Sequence, residues 1–228
     1  MKRVSILLYL FVAVVACNAQ QPSGKFTVVP KVGVNISNLN SFKWTGSETL
    51  KPASSKMKAG MTIGAEVEYQ ATENVSVSGG LLYSMQGVGY DDFVIQLGKK
   101  EFEGVRNFRL NLQYVNMPLL VRRYLFKGFA VAAGVQPGIL IDARAKSDVT
   151  EWSLDDDGKT IYGRQYDVDS KWDSTLRRFD LSIPVGLSYE WEKVVIEARY
   201  NIGVIHVFRN DGFPSRNGVM SFTVGYRI

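Results

Sequence analysis

The sequence has little of the chemistry that most catalytic and metal-binding sites require. Its 228 residues include one cysteine and one histidine. One cysteine excludes a framework of disulfide bonds, and the two residues together are too few for a structural zinc site. Phosphate-binding loops and dinucleotide-binding fingerprints are also missing from the sequence. The sequence therefore predicts a protein that is not an enzyme and that binds no cofactor or metal.

Long apolar runs are equally scarce. After the N-terminus no segment approaches the roughly 18 apolar residues of a membrane-spanning helix. The one marked run, residues 4–16, follows two basic residues and precedes a small-residue pattern. This arrangement predicts a secretory signal peptide over residues 1–19, cleaved to leave a mature domain over 20–228. A second interpretation takes Val14–Cys17 as a lipobox, in which the cysteine would carry a lipid.

The charge of the chain gives no sign of a nucleic-acid partner. The 27 basic and 22 acidic side chains give a formal net charge of +5. Two of the basic side chains lie in the predicted signal peptide, so the mature chain would carry +3. Nucleic-acid binding usually depends on a stronger and more clustered positive charge. We therefore predict no nucleic-acid partner.

Apolar and polar residues alternate along the mature chain. Over residues 179–190 the apolar series Phe, Leu, Ile, Val, Leu, Tyr is interleaved with Asp, Ser, Pro, Gly, Ser, Glu. A period of two indicates a strand whose faces meet different surroundings. The fourth such segment changes phase near Tyr114, which predicts a β-bulge. Eight segments have this pattern, at about 25–37, 59–70, 75–89, 108–125, 129–143, 177–190, 194–206 and 218–228.

The connections between these segments alternate in length. This is typical of a transmembrane barrel, whose hairpins insert from one side and leave short periplasmic turns and long external loops. The short connections are 71–74, 126–128 and 191–193, and the long ones are 38–58, 90–107, 144–176 and 207–217.

The polar phase of the strands carries full charges at mid-strand. A soluble barrel would bury these charges in an apolar core at several kcal/mol each. A membrane barrel instead turns its apolar phase to lipid and keeps a polar lumen. Eight strands leave a lumen that side chains can fill, so we predict a plug of paired charges, with a polar conduit as the alternative. The predicted lumen residues are Lys31, Glu66, Glu68, Arg122, Asp180, Glu197 and Arg199.

The apolar phase carries an aromatic residue at the short-turn end of five strands. Aromatic rings at that depth are typical of the girdle at a membrane interface. The sequence therefore predicts an all-β fold, an eight-stranded antiparallel up-and-down transmembrane β-barrel with short periplasmic turns and long extracellular loops. The predicted girdle consists of Phe26, Tyr69, Phe129, Tyr189 and Tyr226.

Several segments of the chain resemble the PorT-like outer-membrane β-barrel family of Bacteroidetes. The resemblance covers essentially the whole mature chain and implies a barrel rather than a reaction. It also implies integration in the bacterial outer membrane and assembly by the barrel-insertion machinery. One departure is the last residue, Ile228, where such proteins commonly end in Phe. The segments that carry the resemblance are Lys31–Leu39, Leu112–Leu120, Gly134–Gly138, Phe179–Leu187, Glu197–Gly203 and Val224–Ile228.

The connection 144–176 holds two further candidate features. Ser153–Gly158 has the spacing of part of a calcium loop, but Arg164 stands where the bidentate glutamate belongs. A solvated hairpin turn at Asp157-Gly158, between Val149–Leu154 and Thr160–Tyr166, is the favoured interpretation. Four aromatic side chains in this connection mark a surface for a protein or glycan partner, or else pack the hairpin on itself. These are Trp152, Tyr162, Tyr166 and Trp172.

The single histidine, His206, is followed in the chain by Asp211 and Ser215. A lipid hydrolase or acyltransferase needs such groups within hydrogen-bond reach. Proximity in sequence is weak support, and a rim histidine is the favoured interpretation.

The predicted function is therefore that of a non-enzymatic barrel in the cell envelope. It would have a structural or adaptor role, or would interact through its loops, with the outer-membrane lipid bilayer as its surroundings. A narrow channel and an accessory barrel of a transport or secretion system are the alternatives. A soluble secreted barrel for an apolar ligand would reverse the two faces of every strand.

Overall fold

The computed structural model of the chain describes residues 23–40, 53–209 and 215–228. The predicted signal peptide, with the cysteine of the alternative lipobox, lies outside the described residues, as does Asp211. No helix among the described residues is long and apolar enough to cross a membrane.

The described residues form twelve β-strands, where the sequence analysis predicted eight. Their bounds are β1 Phe26–Asn40, β2 Ser55–Lys56, β3 Lys58–Thr72, β4 Val75–Tyr90, β5 Phe93–Gln96, β6 Glu101–Asn116, β7 Leu119–Phe126, β8 Phe129–Leu154, β9 Thr160–Lys171, β10 Phe179–Trp191, β11 Val194–His206 and β12 Arg216–Tyr226.

Eight strands form a closed antiparallel ring. The neighbours run β10, β11, β12, β1, β3, β4, β7 and β8, and β8 pairs with β10 to complete the circle. The first and last strands pair from Lys31 opposite Gly225 to Asn40 opposite Arg216. Because the ring is closed, its strands leave no row of unpaired backbone groups facing the surroundings.

The predicted fourth strand is two strands that share one position in the ring. β7 pairs with one half of β4 and β6 with the other half. They are separated at Met117 and Pro118, and a proline has no N–H with which to continue a ladder.

The prediction of a bulge in this fourth strand is wrong: β6 and β7 keep one alternation, with Tyr114, Leu120 and Arg122 all inward. The apolar residues change phase because they fill the interior core along β6 and face outward along β7. The bulge lies on the neighbouring β8, where Ile141 is left unpaired between Gln113–Asp142 and Tyr114–Leu140.

Two of the long connections contain ordered strands, and in the second they include the hairpin predicted on either side of Asp157-Gly158. The connection 90–107 holds β5 and the start of β6, and the connection 144–176 holds the end of β8 and all of β9. Together these segments make a four-stranded antiparallel extension in the order β5, β6, β8, β9. We call this extension the protruding sheet. It arises because β6 and β8 continue to pair beyond the ring, as far as Glu101 opposite Ser153.

The outward face of the ring is apolar. Ile183, Val185 and Ile196 are all exposed, whereas Glu197 and Arg199 beside them are buried. On β1 the outward apolar residues run from Val28 to Ile36, which is about 27 Å of strand at about 3.4 Å per residue. A tilted strand of about this length crosses the hydrocarbon core of a bilayer. The ring therefore exposes on its outer surface the apolar side chains that a soluble protein would bury.

The interior of the ring has three layers, which are charged, neutral polar and apolar, and β1 contributes one residue to each. Lys31 points into a layer of charges, Asn35 into a layer of neutral polar groups and Leu39 into an apolar core, and all three are buried. The charges lie toward the end with the short turns, and the apolar core lies toward the protruding sheet. The core includes Val88, Phe108, Leu110, Leu112, Tyr114, Leu140, Leu176 and Phe208.

Candidate functional sites: the lumen and the protruding sheet

A cluster of buried ion pairs occupies the lumen, with Glu66 near its centre. One Glu66 oxygen accepts hydrogen bonds from Lys31 Nζ at 2.9 Å and Arg122 Nη2 at 2.7 Å. The other oxygen accepts one from Arg199 Nη2 at 2.8 Å. Glu197 pairs with the same three cations, at 2.7 Å from Lys31 and 3.1 Å from Arg122. Four ring strands, β1, β3, β7 and β11, are thereby joined across the lumen.

Glu68 extends this cluster toward the short turns. Its carboxylate accepts hydrogen bonds from Arg122 at 2.9 Å, Ser76 at 2.6 Å and Tyr124 at 2.8 Å. A further donor is Arg227, whose Nη2 lies 3.2 Å from Glu68. We call these side chains, with Lys31, Glu66, Glu197 and Arg199, the lumen ion cluster.

Arg227 is a lumen residue that the sequence pattern did not predict. Arg227 also pairs with Glu190, at 2.9 Å from Nε. Both residues belong to the polar phase of their strands, so the alternation places them on the inward face. Their position at strand ends, next to short turns, was the reason they did not stand out as mid-strand charges.

Asp180 lies apart from the lumen ion cluster, although the sequence assigned it to the same network. It accepts a hydrogen bond from Asn217 Nδ2 at 3.1 Å. Glu197 pairs with Ser188 in the β10–β11 register, and Asp180 is eight residues further along β10. That is about 27 Å of strand, because each residue rises about 3.4 Å. Asp180 therefore faces the lumen near the apolar core, at the other end of the ring.

The balance of charge makes the lumen ion cluster self-contained. Three carboxylates, Glu66, Glu68 and Glu197, face three cations of the sequence prediction, and each has at least two ionic partners. Burying an ion costs several kcal/mol unless close partners compensate it. Each carboxylate of the cluster is therefore compensated by buried cationic partners.

A small polar cavity lies next to the cluster. Its volume is about 20 Å³, and its lining includes Thr62, Ser84, Asn116, Gln136 and Asn201. This is space for about one water molecule. The side chains around this cavity therefore leave little free space beside the lumen ion cluster.

The five aromatic residues of the predicted girdle lie at the short-turn end of the ring. Phe26 and Tyr69 are opposite each other in the β1–β3 register, with ring centroids 4.7 Å apart. Tyr189 is opposite Phe129 in the β8–β10 register. Tyr226 is exposed on β12, opposite Val194.

The Asp155 carboxylate is used within a hairpin turn. Its Oδ1 accepts hydrogen bonds from the backbone N–H groups of Asp157 at 3.0 Å and Lys159 at 2.7 Å. Gly158 has φ of 78°, the left-handed conformation that such a turn needs. Within the described ranges, no group of three acidic, histidine or cysteine residues could hold a metal ion.

His206 lies at the end of β11 away from the short turns, opposite Arg216. The Ser215 hydroxyl is buried and has no hydrogen-bond partner among the residues the structure describes, so His206 and Ser215 do not form a catalytic pair there. Asp211, the third residue of the hydrolase alternative, lies outside the described residues.

The protruding sheet carries a row of aromatic side chains on one face. Phe102 is opposite Trp152 in the β6–β8 register, and Trp152 is opposite Tyr162 in the β8–β9 register. The rings of Phe102 and Trp152 are stacked, with centroids 5.9 Å apart. Trp152 and Tyr162 line a cleft of about 480 Å³. On the opposite face, burial and the nearby Glu103 and Glu151 raise the pKa of Tyr166.

The paired loop charges outside the ring are exposed. Lys56 Nζ lies 2.6 Å from Asp91 Oδ1, and this hydrogen bond raises the pKa of Lys56. The pair joins β2 to the connection between β4 and β5. Solvent screens such a contact, so it positions the loop more than it stabilises the fold.

Comparison with known proteins identifies the family. Residues 18–209 match the family described as outer membrane protein beta-barrel domain. No curated protein sequence matches the chain significantly.

Among solved structures, similar chains are outer-membrane proteins of low sequence identity. Ail, the attachment invasion locus protein of Yersinia pestis, is 12% identical with a TM-score of 0.44, over 91% of this chain and 100% of that one. Neisserial surface protein A is 12% identical with a TM-score of 0.35, over 91% and 100%. The translocator domain of NalP from Neisseria meningitidis is 11% identical with a TM-score of 0.27, over 99% and 96%.

These similarities are too low to transfer a ligand or an activity. The family match spans most of the chain, and the ring with its apolar exterior and charged interior agrees with it. The chain belongs to the outer membrane beta-barrel domain family and is an integral protein of the bacterial outer membrane.

Proposed function

We propose that the protein is a plugged, non-enzymatic barrel that acts through its protruding sheet. Its role would be that of an adaptor, an adhesion protein or a component that maintains the envelope. The observation that supports this best is that an ion cluster and an apolar core, both buried, lie one above the other inside the ring. If no solute passes through the lumen, the protein must act through its surface, where the protruding sheet can bind a partner.

In this proposal the ring is an eight-stranded up-and-down barrel whose short turns face the periplasm. The turn-side aromatic residues would lie at the inner membrane interface, because amphipathic rings favour the headgroup region. The protruding sheet would then be extracellular. Hairpins inserted from one side by the barrel-insertion machinery would produce this orientation.

Export and finer classification are part of the same proposal. A signal peptide over residues 1–19 would direct the chain to the periplasm, and residues 20–228 would form the outer-membrane barrel domain. Lys31–Leu39 and Leu112–Leu120 support membership of the PorT-like branch of barrel proteins.

The alternative of a narrow channel has less support. A solute would have to pass both the lumen ion cluster and the apolar core, where Leu110, Leu112 and Tyr114 are almost fully buried. Moving a hydrated ion through such packing would break buried ion pairs at several kcal/mol each. An accessory role in a transport or secretion system needs no conduit and is compatible with the protruding sheet.

Planar-bilayer recordings test the proposal. The folded protein, identified by heat-modifiable migration on gels, should insert without steady conductance steps. Ion-selective steps that recur at one amplitude would overturn the plugged barrel. Crosslinking from residues 144–176 in intact cells should capture a partner at the cell surface, and crosslinks found only with periplasmic proteins would contradict the orientation.

A further inference from the structure

One face of the protruding sheet is organised as a grid of side chains. Residues opposite each other in an antiparallel register, and residues two apart along a strand, lie on the same face. One row across the sheet therefore contains Gln96, Phe102, Trp152 and Tyr162. The next row contains Val94, Gly104, Thr150 and Gln165. The cleft lies over these two rows.

Gly104 lets an aromatic ring lie flat at the centre of this face. A Cβ added at Gly104 would lie 2.6 Å from the Trp152 ring. The indole therefore covers the backbone of β6 in a position that any larger residue would block. Phe102 stacks on Trp152, and the ring planes differ by only 14°. These contacts fix the orientation of the indole before any ligand arrives, which lowers the entropic cost of binding.

Polar groups surround the aromatic surface. The cleft is lined by Asp92, Arg106, Thr150, Thr160 and Gln165 as well as by the aromatic rings. A carboxylate accepts hydrogen bonds, a guanidinium donates them, and hydroxyl and amide groups do both. The cleft thus combines a flat apolar surface with a polar rim. Side chains of this rim can donate hydrogen bonds to a ligand hydroxyl group and accept hydrogen bonds from it.

We propose that this cleft binds a neutral saccharide. One face of a pyranose ring presents C–H groups, which suit the negative face of an indole, and its rim presents hydroxyls for side chains such as Asp92 and Gln165. The cleft volume of about 480 Å³ lies within the usual range for small-ligand sites. This inference rests on the proposed function, because it requires the protruding sheet to face the cell exterior.

The charge of the sheet selects against an acidic glycan. Residues 91–106 and 148–171 together hold eleven carboxylates and six basic side chains. Asp148 and Asp167 are paired in register next to Arg106. A sulfated or uronic-acid sugar would meet this excess of negative charge. A cationic ligand on the rings would meet Arg106, the cation that already lines the cleft.

A glycan array tests the proposal. The folded protein in detergent is applied to printed neutral, uronic-acid and sulfated oligosaccharides, and the best neutral hit is titrated by calorimetry. Trp152→Ala should weaken that binding about tenfold, which corresponds to about 1.4 kcal/mol, because it removes the aromatic platform. Gly104→Val should also weaken it, because the added side chain displaces the indole. The matched control is Trp191→Ala, which removes an exposed tryptophan at a short turn and should leave affinity unchanged.

Heat-modifiable migration confirms that each variant is folded before binding is compared. The saccharide site is overturned if the folded protein binds no glycan, prefers sulfated ones, or binds equally well as Trp152→Ala. A surface partner crosslinked to residues 144–176 without glycan binding would remove only the saccharide proposal. Steady conductance in bilayers would instead remove the plugged barrel, whatever the array shows.

Discussion

Arg122 and Glu197 lie 3.1 Å apart inside the barrel, although 75 residues separate them in the chain. Their strands, β7 and β11, are not neighbours in the ring, so no backbone ladder joins them. The ion pair therefore connects two parts of the wall directly through the lumen. Both side chains are almost completely buried, which makes the pair costly to break and specific in its geometry.

Removing one carboxylate from the lumen ion cluster should destabilise the barrel strongly. Glu197→Gln leaves Lys31, Arg122 and Arg199 with too few buried counter-charges, at a cost of about 3–5 kcal/mol. The midpoint of urea unfolding, followed by heat-modifiable migration, measures this loss. Glu73→Gln in an exposed turn is the control and should leave the midpoint unchanged. Equal midpoints for the two variants would contradict a structural role for the cluster.

The apolar exterior of the ring predicts a cost that depends on position. Ile196 is exposed on β11 within the apolar belt, and Ile161 is similarly exposed on the protruding sheet. Ile196→Lys should destabilise the folded protein in bilayers by about 2–4 kcal/mol if it lies near the midplane. Ile161→Lys should have no measurable effect, because that side chain is in water. Unfolding titrations in lipid vesicles compare the two, and equal costs would place the membrane elsewhere.

Alternation in the sequence predicted the faces of the strands but not the heights of their residues. A period of two assigns each side chain to one side of the wall, which is why six of the seven predicted lumen charges meet in one cluster. Height depends on the register between strands. The prediction therefore placed Asp180 correctly on the inward face but wrongly in the ion cluster. It did not include Arg227, which belongs to that cluster.

The protruding sheet was harder to predict for a different reason. β9 is exposed over most of its length, so neither face of this strand is buried. Its sequence therefore lacks the sustained alternation of apolar and polar residues that marks a strand with one buried face. The Asp157-Gly158 turn was recognisable, because its chemistry is local. The pairing of β5 with β6 lies outside the ring, where the apolar and polar faces of the ring strands give no guide to which segments pair.

Two glycines with similar backbone angles should respond differently to alanine. Gly128 and Gly158 have φ of 79° and 78°. A Cβ at Gly128 would lie 2.3 Å from the Glu190 carbonyl oxygen, whereas a Cβ at Gly158 would have nothing within 4 Å. Gly158→Ala carries only the conformational cost of about 1–2 kcal/mol, at a hairpin tip outside the ring. Gly128→Ala adds a clash between strands of the barrel and should lower the urea midpoint more.

Arg227 joins the last strand to the rest of the barrel through side chains as well as backbone. Its guanidinium pairs with Glu68 and Glu190 and donates a hydrogen bond to Tyr124 at 3.1 Å. Arg227→Met keeps much of the side-chain volume but leaves two carboxylates short of a partner, which should cost about 2 kcal/mol or more.

The matched control for this variant is Arg216→Met, which changes an exposed arginine at the other end of the same strand. Urea unfolding should separate the two, with a lower midpoint for Arg227→Met alone. Because β12 closes the ring against β1, loosening its end should also speed unfolding from that seam. Hydrogen exchange should then rise first at the β1–β12 pairs near Lys31, and protection that stays uniform around the ring would contradict a seam held by Arg227.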